Sequence, residues 1–294
     1  MKIDFFLVGP PKCGTTTAYH WLKTNPSIFV PNVKEPHFFQ FKNKSLAYSG
    51  LGDRKRLDRM VVQEEDAYLG LYESKNEEQL CGDCSTMYFY SEDAIREIKL
   101  HNPQAKIIIV LRNPIERAFS HYMHQVRDGY EKKSDPLSSF LLSTARIQKG
   151  YMPFWDYISP GKYSQWLPKW KASFDHVLVL DYKQLMGNSK ETMSEIARFL
   201  GVTDDFQTSS DQVFNQSGHP KFPWLNRILK RKTWGHQLLA KVMPQEQRVL
   251  IKNKILNKNN RKARLRDYPA FSGRLNKIYE SDIILYENLP KQSE

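Results

Sequence analysis

The sequence is poor in cysteine. It has three, Cys13, Cys81 and Cys84, among 294 residues. An odd and sparse set cannot form the disulfide framework of a small secreted scaffold, and it fits a reducing compartment. Cys81 and Cys84 make a lone C-x-x-C. With no second pair they cannot complete a four-ligand zinc site, and two ordinary thiols are expected. Also lacking is any run near the ~20 apolar residues that a membrane-spanning helix needs. A leader segment is not legible either, because Met1-Lys2-Ile3-Asp4 enters a strand pattern at once. A chain made and kept in the cytoplasm is the expectation. There is no internal repeat and no low-complexity tract. With 40% hydrophobic residues, 16 Phe, 15 Tyr and 6 Trp, the composition excludes a disordered tail, a collagen and a coiled coil.

What the sequence has in excess is positive charge. Lys and Arg number 44 against 32 Asp and Glu, a net charge of +12. That excess is local. Residues 221–266 hold fourteen Lys and Arg and a single acid, Glu246, while the rest of the chain has 30 basic and 31 acidic residues. The segment reads either as a solvated helical face or as a docking surface for an acidic acceptor or an anionic membrane.

Apolar runs mark three strands: Ile3 to Val8, Ile107 to Leu111 and Val177 to Leu180. Five consecutive apolar residues at Ile107–Leu111 mean burial on both faces, the habit of a parallel sheet. Each strand is followed by helical pattern, over Thr15–Lys23, Ile115–Val126 and Lys190–Leu200, the last closed by Gly201. Strands alternating with helices predict an α/β fold with a central parallel sheet flanked by helices. Residues 42–79 and 128–161 read as polar excursions from that sheet. No domain boundary is evident, so residues 1–294 are read as one domain. Met87-Tyr88-Phe89-Tyr90 is β-prone, and Tyr279–Leu289 is amphipathic with helical spacing.

Gly9-x-x-x-x-Gly14-Thr15-Thr16 resembles a P-loop, G-x-x-x-x-G-K-[ST], but Thr15 replaces the lysine and Lys12 stands inside the loop. Backbone N–H groups at a helix N-terminus still favour an anion. The cation that reaches the β- and γ-phosphates is missing, which argues against an ATPase or GTPase. An ordinary strand–turn–helix connection would use the same residues. A nucleic-acid binder would interleave its basic residues with stacking aromatics or show a known module, and neither is present.

Pro11-Lys12-Cys13-Gly14-Thr15-Thr16 before a helix resembles the 5′-phosphosulfate loop of the PAPS-dependent sulfotransferases, PAPS being 3′-phosphoadenosine 5′-phosphosulfate. Their second element, a strand, an arginine and a serine eight residues on, is matched by Ile107-Ile108-Ile109-Val110-Leu111-Arg112 and Ser120. Lys34-Glu35-Pro36-His37-Phe38-Phe39 is similar to the E-x-H-F-F of the glycosaminoglycan and heparan-sulfate branch. The stretch from Tyr163 to Gly201 and the last helix follow the family order, so the likeness spans nearly the whole chain.

The resemblance implies a P-loop-NTPase-like three-layer fold, PAPS as co-substrate, PAP (adenosine 3′,5′-bisphosphate) as product, and no metal. It implies that Lys12, Cys13, Gly14, Thr15, Thr16 and Thr17 hold the 5′-phosphosulfate and that Arg112 and Ser120 hold the 3′-phosphate. Lys221, in a loop from Asn215, would close over that phosphate. Glu35 would be the base and Lys12 would stabilise the bridging oxygen. His37 would orient the base or bind acceptor, Lys34 would contact either ligand, and Asp83 and Ser85 would line the acceptor. The acceptor would be a carbohydrate hydroxyl or amine, such as an acidic glycan, or alternatively a small-molecule or lipid hydroxyl. Two positions depart from the branch pattern. Gln40 stands where some relatives have an acid, and Cys84 replaces a lysine.

Overall fold

The computed structural model describes residues 1–207, except 51, 59, 133 and 134, together with 264–289 and the backbone of His219–Pro220 and Asn260–Arg261. Lys221 and the basic segment up to residue 263, the backbone of Asn260–Arg261 apart, therefore lie outside the described residues. No helix among the described residues is long and apolar enough to cross a membrane.

Five parallel strands form the central sheet: β1 (Phe5–Leu7), β2 (Ile28–Phe29), β3 (Leu80–Asp83), β4 (Lys106–Leu111) and β5 (Val177–Asp181), in the order β2-β3-β1-β4-β5. β4 pairs with β1 through Phe6↔Ile107 and with β5 through Val110↔Leu180. The apolar runs are explained by two covered faces. Phe6, Ile107, Ile109 and Leu111 belong to one core cluster, and Phe5, Leu7, Ile108 and Val110 to the other. Such double burial demands continuous rather than alternating hydrophobicity.

β2 and β3 escape the sequence pattern because they are short, two and four residues. Gly82 in β3 makes room for a side chain: a Cβ there would sit 2.1 Å from the Phe5 ring. Met87–Tyr90, read from sequence as β-prone, belongs instead to a 3₁₀ turn, Thr86–Tyr90, in which all five residues are buried. Aromatic burial in the core satisfies these side chains without an extended backbone. The C-terminal stretch read as amphipathic forms a helix at Glu280–Glu287, separated from Pro269–Ile278 by Tyr279, but it buries Asp282 and Tyr286 and exposes Ile284, so its apolar face is not as the spacing predicts.

Asn113 and Pro114 set the start of the 14-residue helix Pro114–Arg127. The Asn113 side chain accepts from the N–H groups of Ile115 and Glu116, at 3.0 and 3.2 Å, and proline suits the first helical position. Asp181 plays the same part for Tyr182–Gly187, and it also accepts from the Tyr286 hydroxyl.

The loop after β1 runs against β4. A Cβ on Gly9 would lie 2.6 Å from the carbonyl oxygen of Val110 and 2.8 Å from its nitrogen. Both neighbours are backbone of a central strand and cannot yield. Gly9→Ala is expected to destabilise the protein by about 1–3 kcal/mol, the range for overpacking. An unchanged melting temperature would contradict this close approach.

Candidate active site

All five strands point their carboxyl ends to one edge, and the loops that leave them carry the chemistry. β1 lies centrally, with the chain passing to one side for β2 and β3 and to the other for β4 and β5. The crevice at such a reversal is where open α/β sheets bind ligands.

The loop after β1 turns through Lys12 at φ 77° and Gly14 at φ 88° into the helix Thr15–Leu22. Gly14 accepts from the N–H groups of Thr17 and Ala18, at 2.9 and 3.2 Å. The first N–H groups of this helix have no intrahelical partner and face the loop. Thr15 and Thr17 are buried and Thr16 is partly exposed. Cys13 is buried against Tyr163, and burial pushes its thiol up to about 11. Its main chain, not its sulfur, is left to line the loop.

Lys12 is the focus of the loop. Its Nζ lies 3.1 Å from His124 Nδ1. Burial first, then Arg127 and Arg112, lower its pKa to about 8. Burial and Lys12 in turn push His124 down to about 4, so its imidazole is neutral near pH 7. The Lys12 contact requires the lone pair on Nδ1. The ring proton is therefore on Nε2, which is 3.3 Å from the Asp128 carboxylate. Asp128 also takes Arg127 Nε at 2.9 Å.

Arg112 leaves the end of β4, and Ser120 lies buried two turns along the helix that follows. The Arg112 guanidinium lies over the Tyr182 ring, 4.5 Å from its centroid, and reaches Glu116 Oε2 at 3.0 and 3.1 Å. A partly exposed pair of this kind contributes about 0–1 kcal/mol, so an incoming phosphate can replace it. Arg117 is fully buried, its Nε has no partner, and it forms no ion pair among the described residues. Lys12, Arg112 and Arg127 thus gather at one loop, with Glu116 and Asp128 as the carboxylates paired to the two arginines. Such a cluster fits a ligand carrying several negative charges.

Across from the loop stands the turn after β2. Glu35 and His37 both adopt the left-handed region, at φ 61° and 52°, on either side of Pro36. Non-glycine residues held there mark strain retained at functional sites. Glu35 ion-pairs with Lys34 and accepts from Thr86 Oγ1 at 3.2 Å, and His37 Nε2 is 3.6 Å away. Burial opposes the charge on Glu35. Lys34 beside it, with the nearby His37 ring, outweighs that, holding the carboxyl well below the usual range.

Asp83 and Ser85 lie beneath this turn, both fully buried. Asp83 accepts from Ser85, Tyr68 and Tyr88 at 2.6, 2.9 and 2.9 Å. Ser85 Oγ takes the His37 N–H at 3.2 Å. Their contacts hold the His37 backbone from behind, and both side chains are fully buried rather than facing an acceptor. Gln40 is buried one helical turn on. Cys84 and Cys81 are buried free thiols, both pushed up by burial.

The structure therefore brings Lys12, Lys34, Glu35, His37, Arg112 and Ser120 to one edge. It adds His124, Arg127, Asp128, Tyr90 and Thr86, which motif reading passes over. His124 was accessible to that reading, since it lies one helical turn beyond Ser120 and shares its face.

Comparison with known proteins identifies the family. Residues 2–217 match the family described as the sulfotransferase domain. A bifunctional heparan sulfate N-deacetylase/N-sulfotransferase 4 of Mus musculus is 29% identical over 223 residues, covering 72% of this chain and 24% of that protein. Carbohydrate sulfotransferase 15 of Homo sapiens is 28% identical over 243 residues, covering 67% of this chain and 43% of that one. The match thus spans less than half the length of these relatives. The crystal structure of a sulfotransferase from Alicyclobacillus acidocaldarius superposes with a TM-score of 0.66 at 30% identity, over 73% of this chain and 87% of that one.

Proposed function

Because the chain belongs to the sulfotransferase domain family, we propose that it moves a sulfuryl group from PAPS to a hydroxyl or amine of a carbohydrate acceptor, with Glu35 as the base. The observation that carries this reading is the placing of a carboxylate, Glu35, near enough for its charge to act on Lys12, among the cations Arg112 and Arg127. The carbohydrate acceptor is supported by relatives whose names specify heparan sulfate and carbohydrate sulfotransferases.

PAPS supplies an already activated sulfuryl group. The loop N–H groups, with Thr15, Thr16 and Thr17, hold its 5′ end, and Arg112 and Ser120 hold its 3′-phosphate. Lys12, lowered to about 8, keeps its charge near pH 7 while holding its proton loosely, the balance that general-acid assistance needs. Neutral His124 aims the ammonium, and Asp128 fixes the tautomer. Glu35 takes the proton of the acceptor. In the resting ion pair its basicity is low. Movement of Lys34 towards an oxyanion of donor or acceptor would raise it, because Lys34 is the leading group holding the carboxyl down.

Adenosine 3′,5′-bisphosphate is expected to raise the melting temperature, by about 2.7 kcal/mol of stabilisation at a hundredfold excess over its Kd. Arg112→Ala is expected to lose most of that rise, since a charge-assisted grip contributes about 1.5–3 kcal/mol. A thermal-shift titration decides it. An undiminished shift in Arg112→Ala would remove this residue from the donor site.

A further inference from the structure

Arg56 lies on the short helix Asp53–Leu57, in the first excursion from the sheet. Its guanidinium is clamped. Cζ is 3.9 Å from the centroid of the Phe154 ring and 4.3 Å from that of Tyr130. Nη1 donates to Gln125 Oε1 at 3.0 Å. Gln125 is itself immobilised, being fully buried and donating to the carbonyl of Phe154 at 2.7 Å.

No carboxylate among the described residues pairs with this cation. Asp53, three residues earlier, accepts from the Met152 N–H and Trp155 Nε1. Asp128 is engaged by His124 and Arg127. Nε and Nη2 of Arg56 bond to no described residue. An arginine held rigid between aromatic faces, with its outer donors unmatched, presents the planar fork that carboxylates and sulfates accept.

Several contacts tie Arg56 to the reaction centre. Phe154 also packs against His37, with ring centroids 6.4 Å apart, and His37 lies beside Glu35. Gln125 directly follows His124, which holds Lys12. The Tyr90 hydroxyl has no hydrogen-bond partner although the residue is 7% exposed, and neither ring nitrogen of His37 has one. Burial raises the Tyr90 hydroxyl pKa.

We propose that Arg56 determines acceptor specificity by receiving an oxyanion of the acceptor, a carboxylate or a sulfate. The inference rests on the sulfuryl-transfer reading and adds that the acceptor is acidic at the unit lying between Arg56 and Glu35. It places anion recognition on the side of the site where Phe154 packs against His37.

Calorimetry with the PAP-bound protein tests it, using three oligosaccharides of equal length: one bearing uronates, its carboxyl-reduced form, and the reduced form carrying sulfate esters. At least one anionic ligand is expected to bind about tenfold or more tighter than the neutral one. Which one does so separates carboxylate from sulfate. Arg56→Gln is expected to abolish the preference with PAP affinity unchanged, and Arg56→Lys to keep part of it, retaining charge without the fork. A preference that survives in Arg56→Gln overturns the proposal. So does its absence from the unaltered protein, including failure of all three ligands to bind. The donor reading fails separately, by loss of PAP binding in the unaltered protein.

Discussion

Glu35→Gln is expected to lower kcat by about 10²–10⁴, the usual contribution of a positioned general base, while adenosine 3′,5′-bisphosphate still raises the melting temperature as before. The substitution is nearly isosteric. The amide oxygen can still accept from Thr86, as Oε2 of the carboxylate does at 3.2 Å. The left-handed turn is held by Ser85 and by Pro36, not by the charge. What disappears is the ability to take a proton. Single-turnover sulfation measured with saturating PAPS isolates that step. A rate close to that of the unaltered protein would remove Glu35 as the base. The pH dependence supplies a second readout. Lys34 is the leading group lowering Glu35, so Lys34→Ala raises its pKa. The acid limb of kcat/KM, which reports the free enzyme, should then move to higher pH.

Lys12→Ala should be nearly as costly, about 10²–10³ in kcat, the scale for removing one donor aimed at developing charge. Lys12 is also expected to set the alkaline limb. Burial, Arg127 and Arg112 lower its folded pKa to about 8. As pH rises through about 8 the ammonium loses the proton presented to the leaving oxygen, and kcat/KM should fall. Bound donor adds negative charge beside Lys12 and raises its pKa, so the limb in kcat should lie at higher pH than the limb in kcat/KM. In Lys12→Arg the side chain stays charged throughout, and the alkaline limb near pH 8 should vanish even where the rate is reduced. A limb that persists in Lys12→Arg would assign it to another group.

Much of the fold is legible in single segments. Continuous apolar runs reveal β1, β4 and β5 because both faces of each strand are covered. Asn113-Pro114 announces a helix start that the structure contains. β2 and β3 are not legible, since pairs of residues such as Ile28–Phe29 carry no period. The tract Met87–Tyr90 misleads for a related reason. Its composition reports burial, and burial is compatible with a 3₁₀ turn as well as a strand.

The candidate site divides along the same line. Lys12, Glu35, Arg112 and Ser120 stand in motifs of contiguous or closely spaced residues, so their chemical types and order can be read directly. Arg56 cannot, because its meaning lies in Phe154, Tyr130 and Gln125, all far along the chain. Nor can the sequence say that Asp83 and Ser85 work from behind the turn rather than in the crevice.

The order of residues alone determines that an anion loop, an arginine–serine pair and a glutamate with a histidine will occur in one α/β chain. Folding determines what surrounds them. Lys12 acquires a pKa near 8 only when burial and distant arginines meet at its ammonium, and Glu35 becomes a strong or weak acid according to where Lys34 lies. Such values come from desolvation and from charges brought together across the sheet, and short-range pattern does not encode them.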